Sequence, residues 1–314
     1  MTIKVSIVIP VFNMEKWIVQ TLLSVASQTY DNWECLIVDD GSTDKSLALI
    51  NSFTAATNGN WKVITIVNSG QSHARNVGIE HATGELVAFL DADDLWLPEK
   101  LHAQVNLFNR NPNVDAVFTG YAIFEEGQVG KFRIVTHHSA ANMCKDWLTM
   151  RGFGGLIEST GIVRRTSLLG IGGFDESLST CAGLDLSLRL STHCNLIVLP
   201  RPHVLYRLSD YQWHKNEGKL REDRDAMPGR YSESSSGLRH LQKWQDSYFF
   251  WFRFKTAGNL KRASEMLSSF TNFRVRDWAM LYSLVSRNVV ARIRGRRFEK
   301  RLAELSRAPQ SAGS

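Results

Sequence analysis

The sequence predicts an α/β protein with a mostly parallel central sheet flanked by helices, and three observations predict it. Short apolar runs rich in β-branched residues alternate with segments of helical periodicity from Val5 to about residue 120. The runs are apolar almost without interruption, as strands covered on both faces are. Polar clusters then follow three of these runs directly, namely Asn13-Met14-Glu15, Asp39-Asp40-Gly41-Ser42-Thr43-Asp44 and Asp91-Ala92-Asp93-Asp94. Open α/β sheets bind ligands in the crevice beyond the carboxyl ends of their strands.

The elements follow in order. Val5–Pro10 reads as a buried strand ended by proline, and Asn13 as the cap of a helix from Met14 with Ile18, Thr21, Leu22 and Val25 on one face. Glu34–Val38 is the second strand, and Leu47, Ile50 and Phe53 mark the second helix. Trp61–Val67 is the third strand. Gln71–His81 is a helix with Ala74, Val77 and Gly78 inward, and Leu86–Leu90 is the fourth strand. Pro98 sits where a first helical position tolerates it, ahead of Leu101, Val105 and Phe108. Val114–Thr119 is the fifth strand. Beyond residue 120 the rhythm loosens into Gly-rich loops, with a helix over Leu184–Leu190 and a strand over Leu196–Leu199.

Composition bounds the class. The chain has 314 residues, 43% hydrophobic and 22% charged, which excludes disordered, collagen-like and low-complexity proteins. The length suits about two domains, or one with an appendage. Four scattered cysteines without a CxxC pair argue for free thiols rather than disulfides or a zinc site. Neither a signal peptide nor a stretch approaching the roughly 20 apolar residues of a membrane span is visible. The expected location is cytoplasmic, or peripheral at the inner face of the cell membrane.

The net charge of +6 is unevenly spread. Residues 1–210 carry 16 Lys and Arg against 21 Asp and Glu, whereas residues 240–314 carry 15 against 5. The expected division is a ligand-binding domain over 1–210, a polar loop over 211–239 and a basic, aromatic-rich helical tail over 240–314. Tyr248–Lys255 and Arg292–Arg297 give residues 240–301 the character of an element facing an anionic membrane surface. A tail packed on the domain fits the same residues. No nucleic acid partner is expected, because nothing else in the chain resembles a nucleic-acid module.

The chemistry lies in the acidic clusters. Asp39, Asp40, Asp91 and Asp93 would converge on one rim, and like charges at close range need a counter-charge. Carboxylate oxygens suit a hard divalent cation, Mg²⁺ or Mn²⁺, which keeps open positions for water and phosphates. Carboxylates, cation and phosphates together point to a nucleoside-diphosphate ligand. Each cluster alone reads as a solvated turn or a helix cap. Two at successive strand ends, behind a strand ending Pro10-Val11-Phe12-Asn13, are hard to explain as caps.

Seven segments, in order, resemble the family 2 inverting glycosyltransferases of the GT-A fold: Val5–Asn13, Ser27-Gln28-Thr29, Val38–Asp44, Ala74-Arg75-Asn76-Val77-Gly78, Phe89–Asp94, Gly172–Glu176 and Asp185–Arg189. The resemblance covers roughly residues 3–210. It implies transfer of a sugar from a nucleotide-diphosphate sugar, often UDP-linked, to a saccharide or lipid-linked acceptor in bacterial cell-envelope polysaccharide synthesis. Carried over, it implies that Pro10, Val11 and Phe12 line the base pocket and that Asp40 and Glu15 reach the base or ribose. It implies that Arg75 lies near the donor phosphates, that Asp91 touches the ribose or a metal-bound water, and that Ala92 and Asp93 belong to the donor site, with Asp93 the metal ligand. Asp94 reads as a turn residue.

One departure matters. A Glu-Asp pair usually precedes the Asp-Leu-x-Leu-Arg segment in this family, and its Asp is the general base. Here those positions are Ala182 and Gly183. Asp185 is the candidate base that remains, with Asp175 and Glu176 as substitutes. The alternative is a catalytically weakened nucleotide-sugar-binding partner of another transferase. His73, His203 and His214 read as surface or packing histidines, with His73 able to face phosphates and His203 or His214 able to serve as a late metal ligand.

Overall fold

The computed structural model describes residues 2–125, 132–136, 158–178, 180–208 and Asp223. The 211–239 loop, except Asp223, and the 240–314 tail lie outside the described residues.

Four parallel strands form the first half of the sheet: β1 (Val5–Val11), β2 (Trp33–Asp39), β3 (Trp61–Thr65) and β4 (Leu86–Phe89). Between them run α1 (Ile18–Ala26), α2 (Ser46–Ala56) and α3 (Gln71–His81). The second half comprises β5 (Leu95–Trp96), β6 (Ala116–Glu125), β7 (Phe132–Val135), β8 (Gly161–Arg164) and β9 (Leu196–Leu208). Its helices are α4 (Lys100–Arg110), α5 (Arg165–Gly170) and α6 (Ala182–His193), and a 3₁₀ turn at Glu158–Thr160 leads into β8. The strand order is β3-β2-β1-β4-β8-β6-β9-β5, with β7 beside β6.

The apolar runs are explained by cover on both faces. All seven residues of β1 are buried. Val5, Ile7, Ile9 and Val11 pack with Ile18, Leu22 and Val25 of α1, Ile50 of α2 and Leu101, Val105 and Phe108 of α4. Val8, in the other phase, packs with Ile79 of α3, Leu168 of α5 and Leu186 and Leu190 of α6. Each fully buried side chain of this size contributes about 1.5–3 kcal/mol of transfer free energy.

The sheet is parallel along most of its paired length, as expected, but it also carries short antiparallel ladders. β8 lies antiparallel between β4 and β6, and β5 is antiparallel to β9. The loosened rhythm after residue 120 hid this half. β6 runs on to Glu125 and β9 to Leu208, well beyond the expected Val114–Thr119 and Leu196–Leu199, because the two strands pair along almost their whole length. The expected cap at Asn13 is also corrected. α1 begins at Ile18, and Asn13, at φ 54°, turns its Oδ1 to accept from Thr43 N–H at 2.8 Å and Asp44 N–H at 3.3 Å. It joins the β1 and β2 loops instead of capping a helix.

The strand order places the topological switch between β1 and β4. Because β1, β2 and β4 are parallel, Phe12, Asp40 and Asp91 all leave the sheet on the same side.

Candidate active site

The rim is held together by hydrogen bonds between the three loops. Asp40 N–H donates to Val11 O at 2.7 Å. Both carboxylate oxygens of Asp40 accept backbone N–H groups, from Ser69 at 2.7 Å and from Gly70 at 2.9 Å. Gly70 has φ 94°, a left-handed conformation that suits glycine, and turns the chain into α3. From the first turn of α3, Gln71 Nε2 approaches Asp91 Oδ1 at 3.5 Å, and one turn on Arg75 Nη2 donates to the same oxygen at 2.7 Å. Asp40 and Asp91 are thus linked through the start of one helix.

Arg75 is 3% exposed, with its guanidinium 5.1 Å from the Phe174 ring. Its Nη1 is 4.0 Å from Glu158 Oε1, and its Nε has no hydrogen-bond partner among the described residues. The buried cation therefore lies between two carboxylates and is held charged by them, Asp91 first and Glu158 second, against the cost of burial.

The Asp91–Asp94 loop is pinned from below. Asp94 is fully buried and accepts from Ser159 Oγ at 2.6 Å and Arg207 N–H at 3.1 Å. Burial, then the charges of Asp93 and Asp91, push its carboxyl well above the carboxylate range. It is a packed anchor rather than a simple turn residue. Thr21 Oγ1 sits 2.9 Å from both Ala92 O and Asp94 O, and Arg207 Nε donates to Asp93 O at 2.8 Å. Asp93 itself stays partly open, and burial followed by Asp91 pushes its carboxyl up to about 7.

The other expected residues fall as follows. Phe12 is 44% exposed at the end of β1, whereas Pro10 and Val11 are buried in the strand. Glu15 Oε2 accepts from Lys45 N–H at 2.9 Å, tying the same two loops as Asp44, which accepts from Glu15 N–H. Asp39 Oδ1 is buried without a partner among the described residues. Asp185 is 3% exposed and accepts from Arg189 Nε at 2.8 Å and Nη2 at 2.5 Å, an i,i+4 pair within α6. Asp175 accepts from Ser177 N–H and Oγ within its own turn, and exposed Glu176 is paired with Asn76 and His73. His203 lies close to Lys100 and Glu99, at the foot of α4, and its Nδ1 is buried without a partner among the described residues. His214 lies outside the described residues.

Three contributors escaped sequence reasoning: Glu158, Ser159 and Arg207. Glu158 sits in a stretch with no periodicity, and no pattern could tell it from the solvated loop around it. Its side chain is only 16% exposed, and burial, then Asp91, push its carboxyl up to about 7 against the pull of Arg75.

A cation fits this chemistry. Among the described residues four carboxyl groups, Asp91, Asp93, Asp94 and Glu158, face two guanidinium groups, Arg75 and Arg207. Burial first, and then the charge of Asp91, raise the Asp93 carboxyl. No group of three or more His, Cys, Asp or Glu side chains that could hold a metal is formed among the described residues. Asp91 and Asp93 are the two carboxylates of this loop that stay partly open, and hard divalent cations at phosphate sites usually take few protein ligands and leave most of their shell to water and phosphate oxygens.

A family model described as Glycosyl transferase family 2 matches residues 6–157. The chain is similar to the UDP-Glc:alpha-D-GlcNAc-diphosphoundecaprenol beta-1,3-glucosyltransferase WfgD of Escherichia coli, 36% identical over 132 residues, which is 41% of this chain and 50% of WfgD. It is similar also to an uncharacterized glycosyltransferase of Haemophilus influenzae, 40% identical over 107 residues, 34% of this chain and 43% of the relative. The chain thus spans half or less of the length of these curated relatives. Among solved structures, S. aureus TarS 1-349 in complex with UDP-GlcNAc superposes with a TM-score of 0.63 at 20% identity, covering 82% of this chain and 77% of that one. That likeness establishes the fold.

Proposed function

Residues 6–157 belong to the Glycosyl transferase family 2, and from that premise we propose that the protein transfers a sugar from a UDP-sugar to a saccharide or lipid-linked acceptor in cell-envelope polysaccharide synthesis, with inversion at the sugar carbon. The observation that carries the reading is the single rim at a β1–β4 switch point on which Asp40, Arg75 and Asp91 are linked by hydrogen bonds through the start of α3, with Phe12 and Asp93 on the adjoining strand-end loops. The WfgD relative bears on donor and acceptor class, and TarS on donor class.

On this reading, exposed Phe12 stacks on the base, Pro10 and Val11 form the floor beneath it, and Glu15 and Asp40 border the ribose. Asp39, one of whose oxygens is buried without a partner among the described residues, closes β2 just before Asp40. Arg75 lies near the donor diphosphate, which accepts guanidinium well. Asp91, Ala92 and Asp93 form the strand-end loop that meets the diphosphate. A divalent cation bound there supplies charge neutralisation of the leaving diphosphate. The protein's part is to hold that loop still, through Thr21, Ser159 and Arg207.

A second reading, a donor-binding partner without turnover, is favoured by Gly183 standing where the family's base usually stands. Turnover separates the two. Purified full-length chain is given UDP-glucose or UDP-GlcNAc with Mg²⁺ or Mn²⁺, and GlcNAc-diphosphoundecaprenol among a panel of saccharide acceptors. UDP release that needs the cation, and that falls about 10²–10³-fold in Asp93→Asn, supports the enzyme. An Asp93→Asn protein as active as the parent sinks the metal-dependent transferase. Donor binding by calorimetry with no release across the panel selects the second reading.

The enzyme would work at the inner face of the membrane, with residues 240–301 against anionic lipid. No helix among the described residues is long and apolar enough to cross a bilayer. Retention on phosphatidylglycerol vesicles at low salt, lost at high salt, supports this. Indifference to such vesicles overturns it.

A further inference from the structure

Gly183 opens α6 directly against a carboxylate from another element. A Cβ added at Gly183 would stand 1.9 Å from Glu158 Oε1 and 2.7 Å from its carboxyl carbon. The Glu158 carboxylate therefore fills the space that any side chain at 183 would enter. The 3₁₀ turn that carries it, Glu158–Thr160, is fixed at the rim, since Ser159 Oγ accepts from Asp91 N–H at 3.1 Å and donates to Asp94.

Transfer to a hydroxyl needs a base within hydrogen-bond reach of it. Around this rim the other described carboxylates are engaged or sealed: Asp39 keeps one oxygen without a partner among the described residues but is only 1% exposed, and Asp223 accepts from Thr180 Oγ1 and Cys181 N–H at the start of α6. Asp40 holds two backbone N–H groups, Asp94 is sealed, Asp185 is clamped by Arg189, Asp175 closes its own turn and Glu176 serves Asn76 and His73. Asp91 accepts from Arg75 at 2.7 Å, and Asp93 is assigned to the diphosphate on the transferase reading above. Glu158, whose distance to Arg75 is 4.0 Å, is not held by that cation in a hydrogen bond.

Resting on the transferase reading above, we propose that Glu158 is the general base, supplied from the 3₁₀ turn before β8 instead of from the start of α6. In the step, the acceptor hydroxyl oxygen attacks C1 of the donor sugar and forms the new C–O bond. The bond from C1 to the β-phosphate oxygen breaks, and its electron pair leaves with the nucleoside diphosphate. The hydroxyl proton passes to a Glu158 carboxylate oxygen and later to solvent. Arg75, bound to Asp91 and beside Glu158, would hold the two carboxylates in fixed relation.

The test moves the carboxylate from one element to the other. Glu158→Gln, Glu158→Ala, Gly183→Asp and the double variant Glu158→Ala/Gly183→Asp are compared with the parent, full-length, for UDP-sugar affinity by calorimetry and for UDP release with the panel above. The two single Glu158 variants should bind donor within about twofold of the parent yet release UDP about 10²–10⁴-fold more slowly. In the double variant the space vacated by Glu158 admits the new carboxylate, and at least a tenfold recovery over Glu158→Ala is expected. Gly183→Asp alone, with both carboxylates crowded together, should stay impaired. A Glu158→Gln protein that binds and releases at the parental rate overturns the assignment and leaves the transferase reading intact. A parent that binds donor and never releases UDP overturns both.

Discussion

Two glutamates at opposite ends of one sheet have opposite fates. Glu34, on β2 beside Ser6, accepts from Ser6 Oγ at 2.6 Å, Thr83 N–H and Oγ1 at 2.7 Å each and Lys4 Nζ at 3.0 Å. Burial alone would raise its carboxyl, but these donors outweigh it and hold the group at about 2. Glu158, at the carboxyl end, has one cation, at 4.0 Å, among the described residues, and burial wins. The fold satisfies the charge that closes its structure and leaves under-satisfied the charge that lies on the rim. Such imbalance is the physical mark of a functional site.

Four experiments test that contrast, from the largest expected effect down. Arg75→Ala removes the buried cation between Asp91 and Glu158 and should cost about 3–5 kcal/mol, read by chemical denaturation at pH 8. Losing no stability would mean that the two carboxylates are not its dependants. Glu34→Ala strands the hydroxyls and Lys4 at the quiet end and should cost about 2–3 kcal/mol while leaving UDP release per folded molecule unchanged. Loss of turnover there would erase the distinction between the ends. Gly183→Ala drives a methyl into Glu158 and should cost about 1–3 kcal/mol, an effect largely relieved when combined with Glu158→Ala.

The smallest effect is a difference of sign with pH. Glu34 is lowered from 4.5, so its contribution is present above about pH 4.5 and is lost as the pH falls toward 2. Glu158 is raised from 4.5 to about 7, so its contribution is full below about pH 4.5 and is lost as the pH rises through 7. Glu158→Gln should therefore melt above the parent at pH 8, with the gap closing toward pH 5. Glu34→Gln should melt below the parent at pH 7, with that gap closing toward pH 3. Parallel thermal scans check both, and slopes of the same sign would refute the contrast.

The first half of the fold was legible because its elements announce themselves locally. β1, β2 and α3 fall within a residue or two of their apolar periodicity, since strands buried on both faces are mostly apolar. The acidic rim was legible too, because parallel strands must end on one side. The second half was not. β5 has two residues, β8 four, and β9 takes its length from pairing with β6 across some 80 residues of chain. Such elements carry no period of their own.

Sequence determined the fold class, the family resemblance and the strand-end carboxylates, all of which are written in contiguous residues. Tertiary structure decided what each carboxylate does. Asp40 became a clasp for the start of α3, Asp94 a buried anchor and Asp185 the partner of Arg189. Glu158 came to fill the space beside Gly183, 25 positions along the chain. A side chain's charge is local information, but its hydration and its partners belong to whatever the chain brings beside it.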